Sequence, residues 1–171
     1  MKIQVRMNTK GKCVEIRTCE TTEDISAMQK SQEFLKAFMC GFDLQDSIAM
    51  LRLEDLYCET FEIKDGIINK NINIDFYLNL YWFIIIVKTL TGDHLSRCIG
   101  RICGEKGKTK NAIENATRTR IIVQDAKISL LGSNINIGLA RNSICSLILG
   151  APPGKIYSNL RIIGKRVNEK I

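Results

Sequence analysis

Residues 91–124 read TGDHLSRCIGRICGEKGKTKNAIENATRTRIIVQ, and the punctuation of this stretch decides the fold. Thr91 or Asp93 can cap a helix whose inward face is Leu95, Cys98, Ile99, Ile102 and Cys103, spaced three and four apart. Gly104 to Gly107 interrupts that helix, and a second one starts at Lys108 with Ala112, Ile113 and Ala116 as its apolar face. A Gly-x-x-Gly turn between two helices lets a polyanionic backbone come close. Glycine adds no side-chain bulk, and the N–H groups that open the second helix lack partners. Around the turn stand Arg97, Arg101, Lys106, Lys108, Lys110, Arg118 and Arg120, opposed only by Glu105 and Glu114. Seven cations within 24 residues make a strip able to exchange counterions with a nucleic-acid backbone. Any one of these lysines alone reads as a solvated surface residue, and only the cluster changes that reading. Arg118 and Arg120 alternate with Thr117 and Thr119 at a strand entrance, which leaves their direction open. Glu114 has the i,i+4 spacing to pair with Arg118.

Downstream, Arg120 to Val123 and Lys127 to Leu131 read as strands, the first rich in β-branched residues. Ser133 caps a longer helix with the stripe Ile137, Ala140, Ile144, Leu147 and Ile148, ended by Gly150 and Pro152-Pro153. With Val87 to Leu90 as a first strand, the order is β-α-α-β-β-α. A Gly-x-x-Gly between two amphipathic helices in that order is the pattern of a type I KH module, in which the turn clamps about four nucleotides. The rival is a P-loop, because Gly107-Lys108-Thr109 matches the tail of G-x-x-x-x-G-K-[ST]. The leading glycine of that motif falls on Ile102, and a helical stripe precedes the turn where a P-loop needs a buried strand. No nucleophile–base arrangement stands out, and the single histidine, His94, lies in the first turn of a helix. We therefore expect no enzyme.

Upstream, Ile3, Val5 and Met7 alternate with polar residues, as do Val14 and Ile16, so Lys10-Gly11-Lys12 reads as a hairpin turn. Ala27, Ser31, Phe34, Leu35, Phe38 and Phe42 follow a helical period, with Gly41 as a stop. Asp43 can cap a second helix carrying Ile48, Leu51 and Leu53, and Tyr57 to Lys64 alternates as a strand. Charge divides the chain as well. The full sequence carries +7, but residues 91–171 hold 14 Lys/Arg and 5 Asp/Glu, while residues 1–90 hold 11 and 13. The polyanion surface is thus expected in the C-terminal half. Seven cysteines without a C-x-x-C pair argue for a reducing compartment and against a disulfide framework or zinc site; no cofactor is implied.

Residues 66–86, GIINKNINIDFYLNLYWFIII, differ in kind: 16 of the 21 are Ile, Asn, Lys, Phe or Tyr. The uninterrupted apolar run from Leu80 to Val87 falls far short of the roughly 20 residues that span a bilayer. No membrane partner is expected.

The run from Gly92 to Arg161, with GRICGEKGKTK at its centre, resembles the partner-of-NOB or Dim two family of KH-domain small-ribosomal-subunit assembly factors. VEIRTC, EFLKAFMCGF and AMLRLEDLYCETFEIKD resemble the same family's first, divergent KH-like domain, which lacks the Gly-x-x-Gly. The resemblance implies an α+β chain: a divergent KH-like domain over residues 1–65, on this reading truncated because the chain begins at the Ile3 strand, and a type I KH domain with a C-terminal extension over 87–171. It implies an RNA-binding factor at the 3′ region of small-subunit precursor rRNA within the pre-ribosomal particle. Such a factor would position the rRNA-processing endonuclease and the rRNA dimethylase in the nucleolus and nucleus, with the cytoplasm as a further station. The broader alternative is a general single-stranded nucleic-acid-binding KH protein. Carried over by motif, Gly104, Glu105, Lys106 and Gly107 form the clamp, with Arg101, Lys108 and Lys110 beside it. The family runs from FEIKD directly into VKTL, so residues 66–86 are extra. Their A/T-rich codon types fit a translated intron whose removal would fuse Gly66 and Val87 into one valine.

Overall fold

The computed structural model describes residues 3–18, 26–63 and 92–169. The chain divides into two compact units, Met1–Tyr57 and Cys58–Ile171. In the first, β1 (Ile3–Asn8) and β2 (Cys13–Thr18) form an antiparallel hairpin in the register Ile3↔Thr18 to Asn8↔Cys13. The Gly11 N–H donates to Asn8 Oδ1 at 3.0 Å, which tightens the turn. Helix α1 (Ser26–Met39) ends where the N–H groups of Gly41 and Phe42 turn back to the carbonyls of Phe38 and Ala37, a Schellman closure that brings buried Phe42 onto buried Ala37. Asp43 then caps α2 (Leu44–Arg52), its carboxylate accepting the Leu44 N–H at 2.8 Å. The expected stripe of α2 needs correction. Ser47 and Met50 are buried, whereas Leu53 lies beyond the helix end in extended backbone and is 56% exposed.

The second unit holds the strand β3 (Tyr57–Glu62), helices α3 (Asp93–Cys103) and α4 (Lys108–Thr117), strands β4 (Arg120–Gln124) and β5 (Lys127–Gly132), then α5 (Asn134–Ile148) and α6 (Pro153–Glu169). The three strands make one sheet in the order β3-β5-β4. Strands β4 and β5 pair antiparallel through a tight turn in which Asp125 takes a positive φ of 50°. The helices bring their apolar stripes to this sheet. Cys98 and Ile102 of α3, Ile113 of α4 and Ile137, Ala140, Ile144, Leu147 and Ile148 of α5 join Ile121, Ile128 and Leu130 in one buried cluster. Each fully buried aliphatic side chain contributes about 1.5–3 kcal/mol. Ser133 caps α5 as expected, accepting the Asn136 N–H at 3.4 Å. Asp93 does not hold the cap position of helix α3: Gly92 does, and Asp93 lies in the first turn, while Thr91 falls outside the described residues.

Two differences from the sequence reading concern the edges of this unit. The strand at Tyr57, which sequence alone attaches to the first half, joins the sheet of the second, at its edge among the described strands. Thr60 Oγ1 and Ser129 Oγ share a hydrogen bond at 3.0 Å and the Ile63 N–H donates to the Ala126 carbonyl at 2.8 Å, as antiparallel pairing with β5 requires. Phe61 and Ile63 are buried in the cluster, and Arg141 of α5 pairs with Glu59 while stacking over the Phe61 ring at 5.1 Å. The strand expected at Val87–Leu90 and the segment 66–86 lie outside the described residues. The second difference is α6. Gly150 and Pro152-Pro153 follow the end of α5 as expected, but Pro153 is also the first residue of a further, 17-residue helix, a position that suits proline because the first helical N–H needs no partner. Ile156 and Leu160 of α6 are buried in the same cluster, with Tyr157 and Ile163 packed against it.

Candidate nucleic-acid interface

Helix α3 delivers the Gly-x-x-Gly turn with its backbone already committed. The Gly104 N–H donates to the Gly100 carbonyl at 2.8 Å, and Gly104 itself has φ 69° and ψ −179°. Glu105 to Gly107 form a single 3₁₀ turn closed by the Gly107 N–H on the Gly104 carbonyl at 3.3 Å. Lys106 (φ 51°, ψ 31°) and Gly107 (φ 78°, ψ 7°) are both left-handed. A left-handed lysine costs on the order of 1 kcal/mol, so the surrounding helices hold it there. Helix α4 opens at Gly107 with no side-chain cap; the Lys108 N–H turns back to the Glu105 carbonyl, and the positive end of the helix dipole lies at the mouth of the turn. Successive N–H groups in such a turn make a concavity suited to an anion.

The two glycines do different work. A β-carbon on Gly104 would stand 2.2 Å from Thr109 Oγ1 and 3.0 Å from the Thr109 backbone nitrogen, so Gly104 is where the turn folds onto α4. A β-carbon on Gly107 would meet nothing nearer than Asn111 Nδ2 at 3.9 Å. Gly107 is therefore the open side of the turn.

The expected cations are not gathered equally. Lys106 and Lys108 flank the mouth and are exposed; Lys108 stands 3.8 Å from Glu105, with both side chains at least 70% exposed, so that pair is weak. Arg97 and Arg101 share an exposed face of α3, and Arg101 lies one turn before Gly104. Lys110 is drawn away from the mouth, 3.8 Å from Glu114, whose carboxylate also accepts the Ile121 N–H at 2.7 Å. Glu114 thus ties α4 to β4 instead of serving only a surface pair with Arg118. Arg118 and Arg120 stand at the far end of α4, about 15 Å along the axis from the turn. Among the described residues no group of His, Cys, Asp or Glu gathers to hold a metal ion, and no helix is long and apolar enough to cross a membrane.

Sequence reasoning missed one contributor altogether. Tyr157 of α6 shares a hydrogen bond with Thr109 Oγ1 at 3.0 Å, on the side of Thr109 that backs Gly104. Thr109 is buried and its hydroxyl has no other partner among the described residues, so α6 braces the turn from behind. The i,i+4,i+7 spacing of Ile156, Leu160 and Ile163 could have revealed the helix, but nothing local pairs Tyr157 with Thr109. Tyr157→Phe is expected to cost about 1 kcal/mol of stability by stranding the Thr109 hydroxyl, read as a lower urea midpoint at unchanged slope.

Comparison with known proteins adds the following. The family model for the second KH domain of PNO1, a eukaryotic type KH-domain (KH-domain type I), matches residues 82–165. The pre-rRNA-processing protein PNO1 of Saccharomyces cerevisiae is 56% identical over 171 residues, covering 99% of this chain and 55% of that protein. The pre-rRNA-processing protein pno1 of Schizosaccharomyces pombe is 52% identical over 169 residues, covering 99% of this chain and 61% of that protein. The chain spans a little over half the length of these curated relatives. Among solved structures, Dim2p from Pyrococcus horikoshii matches with a TM-score of 0.71 at 24% identity, over 93% of this chain and 80% of that one. A chain of the a/eIF2alpha-aDim2p-rRNA complex from the same organism matches with a TM-score of 0.74 at 24% identity, over 96% and 77%. These structural likenesses show a shared fold.

Proposed function

This chain belongs to the PNO1 (partner-of-NOB, Dim two) family of KH-domain proteins, and we propose that it is an RNA-binding factor in pre-rRNA processing that contributes placement and no chemistry of its own. The observation that carries this reading is the open Gly107 side of the turn, where exposed Lys106 and Lys108 and the uncapped start of α4 face the same mouth. A phosphodiester fits there on charge and on space. Arg97 and Arg101 on α3 extend the contact, Glu105 tempers it, and Lys110, Arg118 and Arg120 act further along the strand. The names of the relatives as pre-rRNA-processing proteins, and a structural neighbour found in an rRNA complex, support a precursor rRNA as the ligand.

The finer reading is a site at the 3′ region of the small-subunit precursor, inside the pre-ribosomal particle of the nucleolus and nucleus, where the chain positions the processing endonuclease and the rRNA dimethylase. The N-terminal unit, which lacks a Gly-x-x-Gly and sits in the half of the chain with net −2, is the half we assign to protein contact. Gly107→Asp puts a carboxylate at the open mouth. It is expected to weaken binding to a 3′ fragment of small-subunit precursor rRNA at least tenfold by fluorescence anisotropy. Unchanged affinity would refute the clamp. Equal affinity of the unaltered protein for unrelated single strands would replace the rRNA reading with that of a general single-strand binder.

A further inference from the structure

The clamp accounts for the basic strip of α3 and α4 but leaves a second concentration of charge unexplained. Between Asp125 and Glu169 the sequence contains no Asp or Glu and six Lys/Arg. That acid-free stretch includes the junction of α5 and α6, where a cleft of about 370 Å³ opens between the last turn of α5 and the first two turns of α6. This volume is at the lower end of the range for small-ligand sites. Its walls are chemically mixed. Leu149, Ala151 and Ile156 supply an apolar side, and Ser146, Lys155 and Asn159 a polar one. Lys155 and Asn159 are exposed and one helical turn apart, so both reach over the same opening.

Arg101 links this cleft to the clamp. A β-carbon on Gly150 at the cleft rim would stand 3.6 Å from Arg101 Nη1, and Arg101 is one turn before Gly104 on α3. Neither Arg101 nor Lys155 makes an ion pair with any described residue; Lys155 lines the cleft from α6, and Arg101 reaches the Gly150 rim from α3. The same turn of α6 serves both places, Ile156 lining the cleft and Tyr157 bracing Thr109 behind Gly104. An anionic group between two cations, an apolar wall for a ring face, and an amide and a hydroxyl for polar edges together match one nucleotide.

We propose that this cleft seats the adjoining nucleotide of the strand held by the clamp, with its phosphate between Arg101 and Lys155 and its base or ribose against Leu149 and Asn159. The inference rests on the clamp reading and adds to it a defined path for the strand. It is tested with the full chain and two single-stranded oligoribonucleotides of one sequence, one of about four residues that fills the clamp alone and one of about ten. Lys155→Glu is expected to leave the short oligonucleotide's affinity unchanged and to remove roughly tenfold from the long one's, with a salt slope smaller by about 0.7. Lys165→Glu, the same charge change further along the exposed side of α6, is expected to have less than a threefold effect. The cleft assignment is overturned if Lys155→Glu spares the long oligonucleotide, weakens both lengths alike, or does no more than Lys165→Glu. Gly107→Asp should weaken both lengths; if it weakens neither, the clamp reading itself fails and the cleft with it. Loss of the length gain in Lys155→Glu alone, with Gly107→Asp weak at both lengths, supports clamp and cleft together.

Discussion

Replacing Gly104 by alanine is expected to destabilise the second unit by about 4 kcal/mol, the largest loss expected for alanine at any described glycine. Two separate costs add. At φ 69° and ψ −179° the backbone sits in a region that essentially only glycine occupies, which contributes about 1–3 kcal/mol. The new methyl would also stand 2.2 Å from Thr109 Oγ1 and 3.0 Å from the Thr109 nitrogen. Moving a rotamer cannot relieve the second contact, so the turn itself must shift, at about 1–3 kcal/mol. Gly107→Ala is the control. Its φ of 78° is left-handed but its surroundings are open, so it should cost about 1 kcal/mol. Urea midpoints at constant slope measure both. In a Thr109→Ala background the cost of Gly104→Ala should fall by about 1 kcal/mol, because the 2.2 Å hydroxyl contact is gone while backbone strain and the contacts with the residue-109 β-carbon at 2.9 Å and nitrogen at 3.0 Å remain. Equal losses at the two glycines would contradict this division of labour.

That division shows where sequence reading stops. The four-residue pattern and the helices on either side were legible because they are local. Cys98 and Ile102 recur at helical spacing and both are buried, and the Ser133 cap and every residue of the α5 stripe lie where periodicity puts them. Which glycine packs and which stays open depends on Thr109, whose side chain is turned back under Gly104 by tertiary structure and held there by Tyr157, 48 residues on. No pattern in the turn itself carries that information.

The same limit explains the strand at Tyr57. Its alternation was correctly read as β, but membership of a sheet is settled by partners. Those partners are Ser129 of β5, Ala126 in the turn before it and Arg141 of α5, between 63 and 82 residues away in sequence. Helix α6 was hidden for a different reason. A Pro-Pro pair ends one helix and can begin the next, and the choice between the two readings depends on whether Ile156, Leu160 and Ile163 find a core to enter. The charge strip Arg97–Arg120 was legible as composition but not as a site, since geometry separates cations at the mouth from one held by Glu114 and two at the far end of α4.

That separation gives the second large effect. Changing Lys106 and Lys108 together to glutamate is expected to weaken binding to the precursor rRNA fragment about 100-fold at physiological salt. A unit charge near a phosphate is worth about 1 kcal/mol in water and each reversal counts it twice, with screening reducing the sum. The slope of log affinity against log salt should fall by about 1.4, two contacts' worth for a single strand. Folding should be unaffected: Lys106 and Lys108 are exposed, and among the described residues their one ion pair is Lys108 with Glu105 at 3.8 Å, which contributes little. Lys110→Glu tests the other side of the argument. Its partner Glu114 is largely buried and already accepts the Ile121 N–H, so a second carboxylate there repels a group that joins α4 to β4. Lys110→Glu should therefore lower the urea midpoint while changing the salt slope by less than either mouth lysine does. If instead the three lysines reduce RNA affinity equally and leave stability untouched, the strip acts as a diffuse field, and the turn has no privileged place in it.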